Sequence, residues 1–206
     1  MILEVVEDVS NGKLLRCLKL LQADDVLLIE AASRSYRHQL GFLKLVLMTG
    51  LDGACLRLHV WDRLVNPVED IHSHCADFMS RVVLGRLEEN AFELAGGETH
   101  ALFRYHFDVD AGHSVAVKGG LTGICLRESR TVFQGEAYIK HAFDLHSVGN
   151  VVPGTVTVSA WGARNGEALV LKPLDAEPED CAAASGMPVE QMRAMLANIK
   201  ERLLHT

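Results

Sequence analysis

Between Gly41 and Trp161 the chain is divided by glycine, proline and asparagine into short runs of alternating character. A turn falls roughly every 8 to 12 residues, and this spacing limits the fold more than any other feature. Side chains on a strand alternate between faces with a period of two, so such runs build the half-buried strands of a sandwich or barrel rather than βαβ units. Gly41 to Met48 reads as a strand, Asp52-Gly53 as a turn and Ala54 to Trp61 as its neighbour, with Leu56, Leu58 and Val60 alternating against Arg57, His59 and Trp61. Asn66-Pro67 then breaks the ladder, because proline has no N–H to donate. Arg81 to Leu94 alternates, Ala95-Gly96-Gly97 reads as a turn, and His100 to Val109 sets Phe103, Tyr105 and Phe107 against Leu102, Arg104 and His106. Gly112, Gly119, Gly120 and Gly123 punctuate the next segments, and Ile124 to Phe133 leads into Gly135. Asn150 to Gly154 is a turn, and Thr155 to Trp161 is the last clear strand, with Thr155, Thr157, Ser159 and Trp161 on one face.

Helical periodicity is confined to the flanks. Leu14, Leu15, Leu18 and Leu21 recur at helical spacing over Lys13 to Gln22, after an Asn11-Gly12 break. A second short helix is expected from Asp24 to Ala32, with Asp24 or Asp25 as N-cap, since a carboxylate accepts the free N–H groups of the first turn. Asp175 to Gly186 is a polar linker, and Pro188 opens a helix with Val189, Met192, Leu196, Ile199 and Leu203 on one stripe. That stripe is expected to dock on its own domain, with a homodimer as the alternative. The 206 residues form one mainly β domain: a helical flank over 1–33, a barrel over about 41–172, and a linker and helix over 173–206.

The formal charge of −7, without a Lys/Arg run, argues against nucleic acid as a partner. Five scattered cysteines (Cys17, Cys55, Cys75, Cys125, Cys181) without a Cys-x-x-Cys pair argue against a disulfide framework or zinc knuckle and fit a reducing cytoplasm. Met1 to Val9 carries Glu4, Glu7 and Asp8 and no basic region, and no apolar run is long enough to span a bilayer, so neither targeting nor membrane insertion is expected.

The chemistry concentrates at Ile71-His72-Ser73-His74. On a strand, residues at i and i+2 share a face, so His72 and His74 converge, and two neutral imidazoles need only one or two further donors to bind Fe, Ni, Cu or Zn. His59, His100, His106 and His113 have no such paired spacing and read as surface or satisfied core residues.

The frame around the pair resembles the cupin superfamily. Its first motif (Gly, five residues, His-x-His, three or four residues, Glu, six residues, Gly) is met by His72, His74 and Gly85, with Asn66 in the first glycine place and Phe78 in the glutamate place. Its second (Gly, five residues, Pro-x-Gly, two residues, His, three residues, Asn) is met by Gly135, His146 and Asn150, with His141 for proline and Phe143 for glycine. The matching region, about Leu51 to Ala163, covers roughly half the chain. The resemblance implies a double-stranded β-helix, or jelly roll, and a divalent metal held by His72, His74 and His146, with His141 in reserve. Phe78 then walls the site where most cupins place a carboxylate, Ser80 shares its face, and Asp77 and Cys75 point away.

Among cupins the chain looks most like the three-histidine thiol dioxygenases. This implies a non-haem oxygenase, with Fe(II) the first choice of metal and Ni(II) the second, that uses dioxygen to oxidise a small substrate such as a cysteine-like amino thiol. Ser159 and Trp161 stand where those enzymes carry the histidine and tyrosine of a relay, so both are assigned with Phe78 and Ser80 to the substrate side. Arg37 is the first choice for the substrate-binding arginine and Arg57 the second. Alternatives are a metal-cupin isomerase or decarboxylase acting through an enolate, and a non-enzymatic cupin that binds a small ligand.

Overall fold

A computed structural model of the chain describes residues 11–38, 40–62, 69–108, 113–164, 166–179, 181 and 185–205. The N-terminal nine residues, Asn66-Pro67, and the loop holding Val109 and Gly112 lie outside them. The elements run α1 (Asn11–Ala23), α2 (Asp25–Arg34), β1 (Tyr36–Arg37), β2 (Leu43–Thr49), β3 (Cys55–Val60), β4 (Ile71–His72), β5 (Phe78–Leu84), β6 (Arg86–Asp108), β7 (His113–Phe133), β8 (Ala137–Lys140), β9 (Leu145–Gly149), β10 (Val156–Trp161), β11 (Ala168–Lys172) and α3 (Val189–Leu204).

The strands form two antiparallel sheets. One has the order β1-β2-β3-β10-β5-β8, the other β11-β4-β9-β6-β7 with a further β11–β6 pairing. β6 is long enough to pair at one end with β9, through Glu88 to Phe92, and at the other with β11, through Ala101 to Tyr105. Short β4 lies between β9 and β11. The chain crosses between sheets at two glycines with positive φ: Gly85 (82°) joins β5 to β6, and Gly135 (90°) precedes β8. A side chain at Gly85 would also collide with Thr155, so this position combines backbone strain with a close approach.

The first sheet is covered on both sides, which is why all six residues of β10 are buried although its sequence alternates Thr and Ser with Val and Ala. One face carries Leu43, Leu45, Leu58, Val83, Val156 and Val158 against Leu14, Leu18 and Leu28 of the N-terminal helices and Met192, Leu196, Ile199 and Leu203 of α3. Each fully buried leucine there stabilises the fold by about 1.5–3 kcal/mol relative to an exposed one. The apolar stripe of α3 is therefore spent within its own domain. The other face carries Phe42, Trp61, Phe78 and Trp161 against Leu87 and Val132 of the second sheet.

Asp24 is the N-cap of α2, its Oδ1 accepting from the N–H groups of Val26 (2.9 Å) and Leu27 (3.1 Å). Two local expectations are corrected. Asn11-Gly12 lies in the first turn of α1 rather than before it. Ala95-Gly96-Gly97 does not end a strand: β6 continues, with Ala95 opposite Gly123 and His100 opposite Thr122, so residues 96–99 are extra length on one side of the ladder. Glycine in a strand marks a bulge as readily as a turn, and here the Gly96 carbonyl occupies the space a Cβ on Gly123 would need. One further strand, β11, follows Trp161 and lies within the expected barrel span of about 41–172.

Candidate metal centre

His72 ends β4 and lies directly opposite His146 of β9, a cross-strand pairing that sends both side chains to one face. His74 follows on a segment pinned by its backbone: the Ser73 N–H donates to Leu169 O (2.8 Å) and the His74 N–H to Ala142 O (3.0 Å). The ligand atoms of His72, His74 and His146 all lie within 4.8 Å of one another. His72 Nδ1 is 2.8 Å from the Asp70 carbonyl; an N–H must donate there, which leaves Nε2 with its lone pair. His74 Nε2 and His146 Nε2 are 2.9 Å apart. Two imidazole nitrogens about 2.1 Å from one ion and at right angles are separated by about 3 Å, so the spacing of this pair is compatible with two ligands of one metal ion.

Burial, followed by the charge of His72, holds the His74 and His146 imidazoles well below the ordinary histidine range. Neutral rings are the ligating form. Behind His146 sits a buried carboxylate, Glu89, with Oε1 4.0 Å from His146 Nδ1 and 2.5 Å from Lys140 Nζ.

The triad opens on a cavity of about 240 Å³ between the sheets, lined among others by Phe78, Ser80, Trp161, Tyr138, Arg57 and Lys44. Phe78 lines the cavity beside the triad: its ring stacks on Trp161 at 4.3 Å and meets His74 edge-on at 4.9 Å. Ser80 also lines the cavity. Ser159 lies behind it, its Oγ accepting from the Trp161 indole N–H at 2.9 Å. His141 is exposed, with Nδ1 3.7 Å from Asp77 and no place in the triad. Asp77 also accepts from the Ala142 N–H, so it supports the loop that carries His141.

Arg37 is not among the residues lining the cavity. Its guanidinium makes two hydrogen bonds to Asp62 (2.9 and 2.7 Å) and one to Gly41 O (2.6 Å), so the fork that a substrate carboxylate would need is filled. Arg57, the second choice, does line the cavity, stacking over Trp161 at 4.1 Å. The sequence reading missed Lys44, His38 and Glu69 and dismissed His59, all of which line the cavity. Alternation of Arg57 and His59 along β3 placed them on one face, and that parity was the only local signal.

No protein-family model matches the chain, and no curated protein matches it. Among the described residues no helix is long and apolar enough to cross a membrane.

The buried histidines link stability to pH. Burial and then Lys44 push His38 from 6.5 down to about 4, while His59 and the ligands His74 and His146 also titrate low. The unfolded chain takes up protons near 6.5 that the folded one refuses until about 4, so stability is lost progressively across that window as pH falls. Thermal unfolding of metal-free protein should show Tm declining from neutral pH toward pH 4, and His38→Asn should reduce the decline. A flat profile would contradict the burial of these rings.

Proposed function

We propose that the chain is a metal-dependent oxygenase of the cupin kind, in which His72, His74 and His146 hold a divalent ion, Fe(II) before Ni(II), and dioxygen oxidises a small acidic substrate of the cysteine-like amino thiol class. The observation that carries the reading is the convergence of three imidazoles, two of them with Nε2 atoms 2.9 Å apart, at a cavity of about 240 Å³ where Phe78 stands in place of a fourth, carboxylate ligand. Two antiparallel sheets that exchange strands at Gly85 and Gly135 support the jelly-roll reading. The ion, when bound, supplies open coordination positions for substrate and dioxygen and the redox chemistry that dioxygen requires. The chain supplies the rest. Phe78 and Trp161 exclude water from the ligand side, the Asp70 carbonyl fixes the His72 tautomer, and Arg57 presents a guanidinium to the anionic end of a substrate. The small cavity suits a metabolite-sized molecule. Free cysteines at all five positions fit a cytoplasmic protein.

Elemental analysis of purified protein, with an oxygen-electrode screen of small thiols and diketones on iron- and nickel-loaded samples, tests the proposal. Stoichiometric metal with oxygen uptake on one of these classes supports it. Metal-replete protein that turns substrate over without consuming oxygen would move it to the isomerase or decarboxylase class, and protein that takes up no metal would remove the enzyme reading.

Phe78→Glu probes the open position. A carboxylate there completes a three-histidine, one-carboxylate set, so metal should bind at least about tenfold more tightly, which corresponds to about 1.4 kcal/mol. Turnover should fall, because the new ligand fills a position and cancels charge that attracts an anion. Unchanged affinity and turnover would show that position 78 does not reach the ion.

A further inference from the structure

Lys44 of β2 sits opposite His59 of β3 and next to Tyr36 of β1 in the first sheet. Its ammonium position faces the cavity, and Nζ donates to Tyr36 Oη at 3.0 Å. No carboxylate of the described residues pairs with it. The groups that act on it are the guanidiniums of Arg57 and Arg164 and the thiols of Cys55 and Cys75. A positive charge at Lys44 is thus disfavoured twice, by removal from water and by the fixed charge of Arg57. The group is pushed from 10.5 down to about 7, so the neutral amine is substantially populated near neutrality.

That strength suits a proton acceptor at physiological pH. Burial pushes His38 down to about 4 and holds His59 well below the ordinary histidine range, so both accept protons poorly. Glu69 already accepts the Val148 N–H. On β10, where the resemblance placed a relay, Ser159 is bound to Trp161 and neither is a base.

We propose that Lys44, steadied by Tyr36, is the general base of the cavity and takes the proton that a substrate thiol or enol loses as it enters the site as an anion. This rests on the metal-centre reading above. In the step the S–H or O–H bond breaks, its electron pair stays on sulfur or oxygen, and the proton forms a new N–H bond on Lys44. No oxidant or reductant is consumed, and the net charge of the cavity is unchanged. The resulting ammonium joins Arg57 in facing the new anion.

The test has two readouts on intact protein. Lysine labelled with carbon-13 at Cε reports each amine's titration, with Lys44 assigned through Lys44→Arg. One lysine is expected to titrate near 7 and the surface lysines near their ordinary value of about 10.4. Proton release is then measured by calorimetry in buffers of different ionisation enthalpy, slightly above neutral pH, as mercaptoethanol binds zinc-loaded protein, since zinc adds no redox chemistry. Wild type should release well under half a proton, because Lys44 in its neutral form keeps the rest, whereas Lys44→Met should release about one per thiol. A full proton released by wild type overturns the proposal, as does a Lys44 that titrates with the surface lysines. Wild type that binds no thiol counts instead against the thiol reading of the site, and the lysine titration then decides Lys44 alone.

Discussion

His146→Ala should leave the purified protein without stoichiometric metal, and His72→Ala and His74→Ala should do the same. The site offers three protein ligands, so loss of any one removes a large share of the binding free energy. The deficit should exceed about a hundredfold in affinity, the upper end of what loss of a mere supporting group causes. His141→Ala is the control: the ring is 74% exposed and its nearest charged partner is Asp77, so metal content should be retained. Elemental analysis and competition with a chromophoric chelator measure both. A stoichiometric ion in His146→Ala would overturn the ligand assignment, and loss of the ion in His141→Ala would bring that residue into the site.

Glu89→Gln should produce the largest loss of stability. Glu89 is 1% exposed, Lys140 is 7% exposed, and their charged atoms are 2.5 Å apart, with Arg130 reaching the other carboxylate oxygen at 3.4 Å. Neutralising the carboxylate strands the Lys140 ammonium inside the fold, a situation that costs about 3–5 kcal/mol. At this chain length that corresponds to a Tm lower by roughly 10 °C. The double variant Glu89→Gln, Lys140→Met removes the stranded charge and should recover much of the loss. Thermal unfolding of the metal-free proteins separates these cases, and a double variant no more stable than the single one would show that the ion pair is not the cause. Because Glu89 stands behind His146 Nδ1, metal affinity should also fall, by about ten- to a hundredfold.

Short-range periodicity was legible in the chain without any structure. Leu14, Leu18 and Leu21 and the stripe from Met192 to Leu203 announced helices, because residues one turn apart share a face whatever they pack against. His72 and His74 announced a shared direction for the same reason at a period of two, and the motif spacing supplied His146, which the register then set directly opposite His72. Gly85, Gly135 and Asn150 were legible as special positions, and each has positive φ. Which distant groups meet was decided only by the tertiary fold. Order along the chain favoured Arg37 over Arg57 as the substrate-side cation, but Asp62, twenty-five positions from Arg37, occupies the first, while β3 carries the second into the cavity beside Trp161. Glu89 and Lys140, and Lys44 among Tyr36 and Arg57, are likewise set by strand order and burial. Neighbours along a strand fix the face a side chain points to, but the charge and solvation it meets there come from strands dozens of residues away, and those long-range pairings decide what its chemistry can be.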